Sequence, residues 1–257
     1  MGEHVSGIRG PLDGKRVIVT GGATGIGAAA VSVLGGAGAR VAATFHNSPP
    51  ADTPGVTWLN CDVTEPDSVD TAFQRAAETL GGLDVLVHAA GLWHPGVPGQ
   101  ITVDEVRLVL DTNFTSTVLT NQAAYALMAD TGGRIINFGS SEAVLGSPIS
   151  AVYAASKAAV AAWTRSVAKA WAAQGITANA LAPAVETPGA QRLRDFLGPE
   201  VLPFLEEQIK ATIPLGGKLG DPVRDLGPML VFLAGDGSHF ITGQLLAVDG
   251  GLMMVGA

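Results

Sequence analysis

Apolar residues run along this chain in short unbroken stretches, separated by glycine, proline and polar clusters. "KRVIVT" (15–20) is β-branched and stops at Gly21-Gly22, so it reads as a buried strand. "ARVAATF" (39–45), "VTWLNCDV" (56–63), "LDVLVHAAG" (83–91), "GRIINFGS" (133–140), "ITANALAPA" (176–184) and "QLLAVDGG" (244–251) read the same way. Between them the period lengthens. A Gly/Ala-rich helix is predicted from Ile26 to about Gly36, and "PDSVDTAFQRAAETLG" places Val69, Phe73, Ala76 and Leu80 on one helix face. A long helix is predicted around 102–129, and another follows Ser150. Strands that are apolar almost throughout, alternating with helices, predict a parallel sheet covered on both faces: a doubly wound α/β fold. One connection breaks the pattern. "HNSPPADTPG" (46–55) holds three prolines and leaves no room for a stable helix. An extended crossover, at roughly 3.3–3.6 Å per residue, reaches far enough. The helix between strands two and three is therefore expected to be missing. No internal repeat or linker-like shift in composition is visible, so one domain is expected over 1–257, with a core of about 11–252 and a flexible polar leader at 1–10.

Composition narrows the function. Of the 257 residues 47% are hydrophobic and only 15% charged, with a net charge of −8. The longest basic run is Lys15-Arg16, too little for a nucleic-acid stripe. The acidic balance argues against anionic membranes and acidic protein partners. A single cysteine, Cys61, forbids an intrachain disulfide and suits a reducing compartment. "MGEHVSGIRGPLDG" has no apolar h-region, and no apolar run is long enough to span a bilayer. A cytoplasmic location is expected, with no membrane partner and no metal. The myristoylation-like "MGEHVS" and the sequon "NFT" at Asn113 are read as incidental.

Ligands of doubly wound sheets bind at the carboxyl ends of the strands. Four features fall there. "TGGATGIG" (20–27) follows the first strand: Gly21 permits a tight turn, Gly25 close approach to a phosphate, and Gly27 close helix–strand packing. Asp62 in "CDV" could accept from an adenine amino group, although a capping aspartate is the stronger reading of that residue alone. "HAAG" (88–91) is small enough for a ligand to lie against. "GSS" (139–141) precedes Tyr153 and Lys157 in "SAVYAASKAAVAAW" (150–163). Residues i and i+4 share a helix face, so tyrosine and lysine should enter one cleft. The ammonium is expected to lower the phenol's pKa from near 10, allowing it to exchange a proton with a carbonyl oxygen. The rival reading is a Tyr and a Lys that snorkel to solvent.

In order and spacing, TGxxxGxG at Gly21, Gly25 and Gly27, then Asp62, Asn113 in "DTNFTS", Ser140 thirteen residues before Tyr153, YxxxK, and "ITGQLLAVDGG" resemble the short-chain dehydrogenase/reductase family, over about residues 11–252. The resemblance implies a single-domain Rossmann-like fold. It also implies NAD(P)-dependent reduction of a ketone to a secondary alcohol, or the reverse, on a small molecule. Its catalytic set maps to Asn113, Ser140, Tyr153 and Lys157. In that mapping Tyr153 exchanges the proton and Ser140 bonds the same oxygen. Lys157 holds the nicotinamide ribose, and Asn113 holds a water that relays protons through Lys157. Dinucleotide contacts map to Gly21, Thr24, Gly25, Ile26 and Gly27; to Phe45, His46, Asp62 and Val63; to Ala89, Ala90 and Gly91; and to Pro183, Val185 and Thr187, with Tyr153 and Lys157 again. The family also implies a homotetramer built on paired helices; the helix after Ser150, apolar nearly all round, points the same way.

Departures from the family are visible. His88 and Ala89 stand where two asparagines are common, and "APAVETP" (182–188) is one residue short, with Ala184 for glycine. Trp93, His94, Glu142, Val144 and the segment 188–213 are expected to wall the substrate pocket, with 186–216 as a substrate loop. Phe196, Leu197, Leu202, Phe204 and Leu205 give that loop the look of an apolar lid. No acidic side chain ends strand two, where Phe45 is followed by His46, Asn47 and Ser48 with Thr24 nearby, so NADP(H) is expected over NAD(H). Two alternatives stand beside a free small ketone or alcohol as substrate: a 3-oxoacyl-acyl-carrier-protein reductase, and a non-catalytic dinucleotide sensor. Carrier-protein reductases keep arginines just before strand five and late in the YxxxK helix; here those positions are Thr131 and Gln174.

Overall fold

The computed structural model describes residues 10–47, 50 and 53–254; Ser48 and nearly all of the expected leader lie outside them. Seven strands, β1 (Arg16–Thr20), β2 (Arg40–Phe45), β3 (Thr57–Asn60), β4 (Val85–His88), β5 (Gly133–Phe138), β6 (Ile176–Pro183) and β7 (Leu245–Val248), form one sheet in the order β3-β2-β1-β4-β5-β6-β7. Every pairing is parallel. The order reverses between β1 and β4, which opens a crevice at their carboxyl ends.

The pleat explains why the strands are apolar throughout. Val17, Val19, Val85, Val87 and Ile136 face one side, where α1 (Gly25–Gly36) supplies Ala30, Val31 and Leu34. Ile18, Leu86, Ile135 and Ala178 face the other, onto Phe73 and Ala76 of α2 (Pro66–Leu80). As expected, β2 passes to β3 with no helix among the described residues between them. Trp58 of β3 packs onto the first face instead, edge-on to Phe45 at 6.4 Å.

The structure departs from the expected elements in three places. The long helix of 102–129 is two helices, α3 (Val103–Leu110) and α4 (Ser116–Met128), divided by a π turn at Asp111–Thr115. Hydroxyls sustain the wider turn: Ser116 Oγ donates to Thr112 O at 2.6 Å and Thr117 Oγ1 to Asn113 O at 2.7 Å. A one-residue bulge leaves the apolar period almost intact, so the pattern does not reveal it. After α5 (Glu142–Leu145) and the twenty-residue α6 (Ala151–Ala170), the loop of 186–216 contains two helices, α7 (Pro188–Leu197) and α8 (Leu202–Thr212). Thr187 caps α7 through Ala190 N at 3.1 Å, with Pro188 in the first turn. Finally, α9 (Gly227–Ala234) has no counterpart among the elements the pattern predicts. It is apolar nearly all round and so lacks a periodic signature. Its Leu230 and Leu233 join the α1 side of the core. Gly227 sits against α1, where a Cβ would meet Val33 Cγ2 at 2.9 Å. Among the described residues no helix is long and apolar enough to cross a membrane.

Candidate active site

A cleft of about 810 Å³ opens at the carboxyl ends of the strands. The glycine turn after β1 forms one wall. Gly21 has φ 63°, and a Cβ there would lie 2.8 Å from Ala90 Cα. Gly27 does not line the cleft; a Cβ on it would collide with the Gly21 carbonyl, so it sets how closely α1 packs behind the turn. Helix α1 begins with no side-chain cap and no acidic residue in its first turn. Its free N–H groups and positive dipole end therefore suit a pyrophosphate. These features, built only from backbone and small side chains, fit a dinucleotide.

The expected contacts Gly21, Thr24, Gly25 and Ile26 line the cleft, as do Phe45 and His46 after β2 and Asp62 and Val63 after β3. The Ala89-Ala90-Gly91 loop, Pro183, Val185 and Thr187 complete the lining on the nicotinamide side of the resemblance. Asp62 is a turn cap as well: its Oδ1 accepts from Thr64 N at 2.9 Å and Thr64 Oγ1 at 2.7 Å. These bonds hold the carboxyl below its ordinary pKa. The other oxygen, Oδ2, lies 3.7 Å from His46 Nε2.

Ser140, Tyr153 and Lys157 meet on the cleft floor, so the i, i+4 pair on α6 does share one face. The expected direction of the tyrosine's shift is corrected. Burial pushes the Tyr153 phenol up to about 12, the Glu142 charge adds to this, and a hydrogen bond from Ser140 and the charge of Arg192 only partly offset it. Desolvation of the phenol itself, not the ammonium, sets the direction. Lys157 is 7% exposed, and burial pulls its pKa down to about 8. Its Nζ donates to Phe138 O at 3.0 Å and lies 5.9 Å from the Tyr153 ring centre. The Tyr153 phenol is thus held protonated across the neutral range.

Asn113 lies behind the floor, fully buried in the π turn. Its Oδ1 accepts from Leu92 N at 2.7 Å, and its Nδ2 donates to Leu92 O at 2.9 Å and Ser156 Oγ at 3.0 Å. The carboxamide copies a peptide pairing and fixes the chain just past Gly91. Gly91 is where both groups converge: a Cβ there would sit 3.3 Å from Asn113 Oδ1 and 3.5 Å from Lys157 Nζ.

The His88 departure is compensated by hydroxyls. Thr20 Oγ1 accepts from Ala90 N at 3.2 Å and lies 2.9 Å from His88 Nδ1. His88 Nε2 lies 3.2 Å from Ser116 Oγ, which donates to Thr112 O. These partners assign the proton to Nε2, making a chain from Ala90 through Thr20, His88 and Ser116 to Thr112. Burial, aided by the Lys157 charge, pulls the imidazole down to about 3, so it stays neutral.

Of the four substrate residues named singly, Trp93 lines the cleft, and the expected segment 188–213 contributes Pro188, Gly189 and Arg192. Glu142 sits beside Trp93, its Oε1 accepting from Trp93 Nε1 at 3.3 Å and its Oε2 from Ser150 Oγ. His94 Nδ1 lies 2.6 Å from the Pro95 carbonyl, and Val144 is 47% exposed; neither lines the cleft. Both belong to segments that turn outward just past a cleft residue, which spacing alone does not disclose. Leu108, Asp111 and Thr112 of the α3–π segment line it too and carry no motif signal.

Known proteins resemble this chain over most of their length. A family model described as enoyl-(acyl carrier protein) reductase matches residues 21–253. The 3-oxoacyl-(acyl-carrier-protein) reductase FabG of Vibrio cholerae is 33% identical over 254 residues, covering 95% of this chain and 99% of the relative. Carbonyl reductase family member 4 of Danio rerio is 35% identical over 249 residues, covering 94% and 99%. A solved short-chain dehydrogenase/reductase from Serratia marcescens superposes with a TM-score of 0.81 at 32% identity, covering 94% of this chain and 99% of that one. With the glycine turn, the serine–tyrosine–lysine floor and relatives alike over nearly their whole length, the chain belongs to the short-chain dehydrogenases/reductases, enzymes that use a nicotinamide dinucleotide to interconvert carbonyl and alcohol groups.

Proposed function

We propose that the enzyme reduces a small free ketone to a secondary alcohol, or runs the reverse, with NADP(H) preferred. The observation that carries this is the meeting of Ser140, Tyr153 and Lys157 on the floor of a cleft walled by the glycine turn. A nicotinamide dinucleotide in that cleft supplies or accepts the hydride. The protein does the rest. The glycine turn and the start of α1 hold the pyrophosphate, Asp62 and Val63 meet the adenine, and Ala90, Gly91, Pro183, Val185 and Thr187 hold the nicotinamide end. Tyr153 donates its proton to the carbonyl oxygen, and Ser140 bonds that oxygen as charge develops on it. Lys157 binds the ribose, and Asn113 braces the Leu92 backbone and, as its family position implies, holds the relay water. Helices α7 and α8 serve as the lid.

The cofactor preference rests on the end of β2, where Phe45, His46 and Asn47 offer no carboxylate to repel a 2′-phosphate. The relatives' names include both a carrier-protein reductase and a carbonyl reductase. Thr131 and Gln174, with a net charge of −8, favour the free substrate. Initial rates with free ketones and a 3-oxoacyl carrier protein, using both reduced cofactors at roughly pH 6 to 8, test this. Free ketones should turn over, with the higher kcat/KM for NADPH at each pH. Efficient, salt-sensitive turnover of the carrier-protein substrate would overturn the substrate reading, and a clear NADH preference throughout would overturn the cofactor reading.

The enzyme is further proposed to be a homotetramer. Ala155, Ala158 and Ala162 leave a smooth exposed stripe on α6, while Phe240 is 94%, Leu215 79% and Met254 77% exposed in segments flanking β7. Two such faces suit the two interfaces of a dihedral tetramer. Sedimentation at micromolar concentration should give four times the 26.1 kDa chain mass; a monomer would sink the proposal.

A further inference from the structure

Helix α7 carries two arginines with different fates. Arg194 is consumed by a two-pronged ion pair, Nη1 to Glu186 Oε2 at 2.9 Å and Nη2 to Glu186 Oε1 at 2.6 Å. Arg192, two residues earlier, lines the cleft and makes no ion pair among the described residues. Its Nε donates to the Trp93 carbonyl at 3.3 Å, which leaves both terminal nitrogens for another partner. Its charge reaches the reaction centre, since it acts on the Tyr153 phenol. Glu142, which also acts on Tyr153, is already held by Trp93 Nε1 and Ser150 Oγ and does not line the cleft. Trp93 therefore separates the two charges, with its carbonyl turned to Arg192 and its indole N–H to Glu142. The Trp93 ring also meets Phe196 edge-on at 6.4 Å, an apolar surface beside the cation.

We infer that Arg192 recognises a carboxylate on the substrate, so that the enzyme acts on oxo- or hydroxy-acids whose compact apolar skeleton separates the carboxylate from the reacting carbon. This rests on the oxidoreductase reading and names its substrate class. A planar guanidinium with free terminal nitrogens matches a carboxylate in two-pronged geometry, and a neighbouring aromatic surface suits the hydrocarbon between the two polar ends. The same guanidinium chemistry would also suit the pyrophosphate of the dinucleotide, so the test must separate the two sources.

The test compares matched pairs: 4-oxopentanoate, 5-oxohexanoate and 4-oxocyclohexanecarboxylate, each against its neutral methyl ester. In the unmodified enzyme the best acid should exceed its ester by roughly 10- to 100-fold in kcat/KM, the range of a charge-assisted hydrogen bond. Arg192→Leu should collapse that ratio toward one, mainly through KM for the acid. Arg192→Lys should recover part of it, and Arg192→Glu should invert it. Cofactor dissociation constants, measured by fluorescence titration without substrate, should stay unchanged in all three variants. A weakened cofactor constant would assign the guanidinium to the pyrophosphate and overturn the inference. So would esters and acids turned over equally, although the reductase reading would then survive. Absence of turnover with every acid, ester and simple ketone would overturn both.

Discussion

Tyr153→Phe is expected to lower kcat roughly 10²–10⁴-fold, the usual worth of a positioned acid, while cofactor affinity changes by no more than about twofold. The substitution removes one oxygen and keeps the ring, so the packing around α6 survives. Direction and pH add a second signature. The phenol is pushed up to about 12, so its proton is in place for reduction across the neutral range. Reduction should be flat below pH 8 and decline above it as Lys157, near 8, begins to lose its charge. Oxidation needs the phenolate, whose fraction rises about tenfold per pH unit below the pKa, so alcohol oxidation should climb through the same range. Paired pH profiles in both directions check this. Near-normal kcat in Tyr153→Phe would remove Tyr153 from the mechanism.

Lys157→Met is expected to abolish turnover and yet stabilise the cofactor-free protein at pH 7 by about 1–3 kcal/mol. A lysine in water ordinarily titrates at 10.5, and burial in the fold pulls Lys157 to about 8. Between those values the unfolded chain binds the proton and the folded chain does not, so the native protein gains stability as pH rises from 8 to 10.5. Below pH 8 the penalty is fully present. The shift corresponds to about 3 kcal/mol, at roughly 1.4 kcal/mol per pK unit. Loss of the hydrogen bond from Nζ to Phe138 O returns about 1 kcal/mol of it. Methionine fills a similar volume without a charge. Denaturant titrations of both proteins should show the variant ahead at pH 7 and the gap closing by about pH 10.5. A variant less stable at pH 7 would mean that the ammonium is solvated far better than its burial implies.

Much of this was legible in the sequence because each visible feature has a local cause. The strands are buried on both faces, so "KRVIVT" and "GRIINFGS" show as unbroken apolar runs. The glycine turn needs positive φ at Gly21 and Gly25, which only glycine takes freely. The Tyr153–Lys157 spacing is a property of any helix. What escaped depends on the assembled fold. The π turn shifts the phase by one residue and is held by Ser116 and Thr117 hydroxyls, ordinary residues in a helix sequence. Arg192 and Arg194 look equivalent until Glu186 takes one of them. The Tyr153 shift went the other way because desolvation of the phenol outweighs the charges around it. The two asparagines replaced by His88 and Ala89 looked like a loss, yet the compensating hydroxyls of Thr20 and Ser116 lie 68 and 28 positions away.

The crossover without a helix after β2 bears on how such an enzyme diverges. Phe45 ends β2 and His46 follows it, with no helix among the described residues between that strand and β3. In most of the sheet a substitution at a strand end also disturbs the helix that follows, so a new specificity carries a folding penalty. Here the side chains proposed to meet the adenosine ribose line the cleft outside the two core clusters, and His46 is half-exposed. Selection can therefore act on the coenzyme choice almost independently of selection on folding. Closely related lineages would be free to switch between the two coenzymes through one or two substitutions at 45–47, with the catalytic floor untouched.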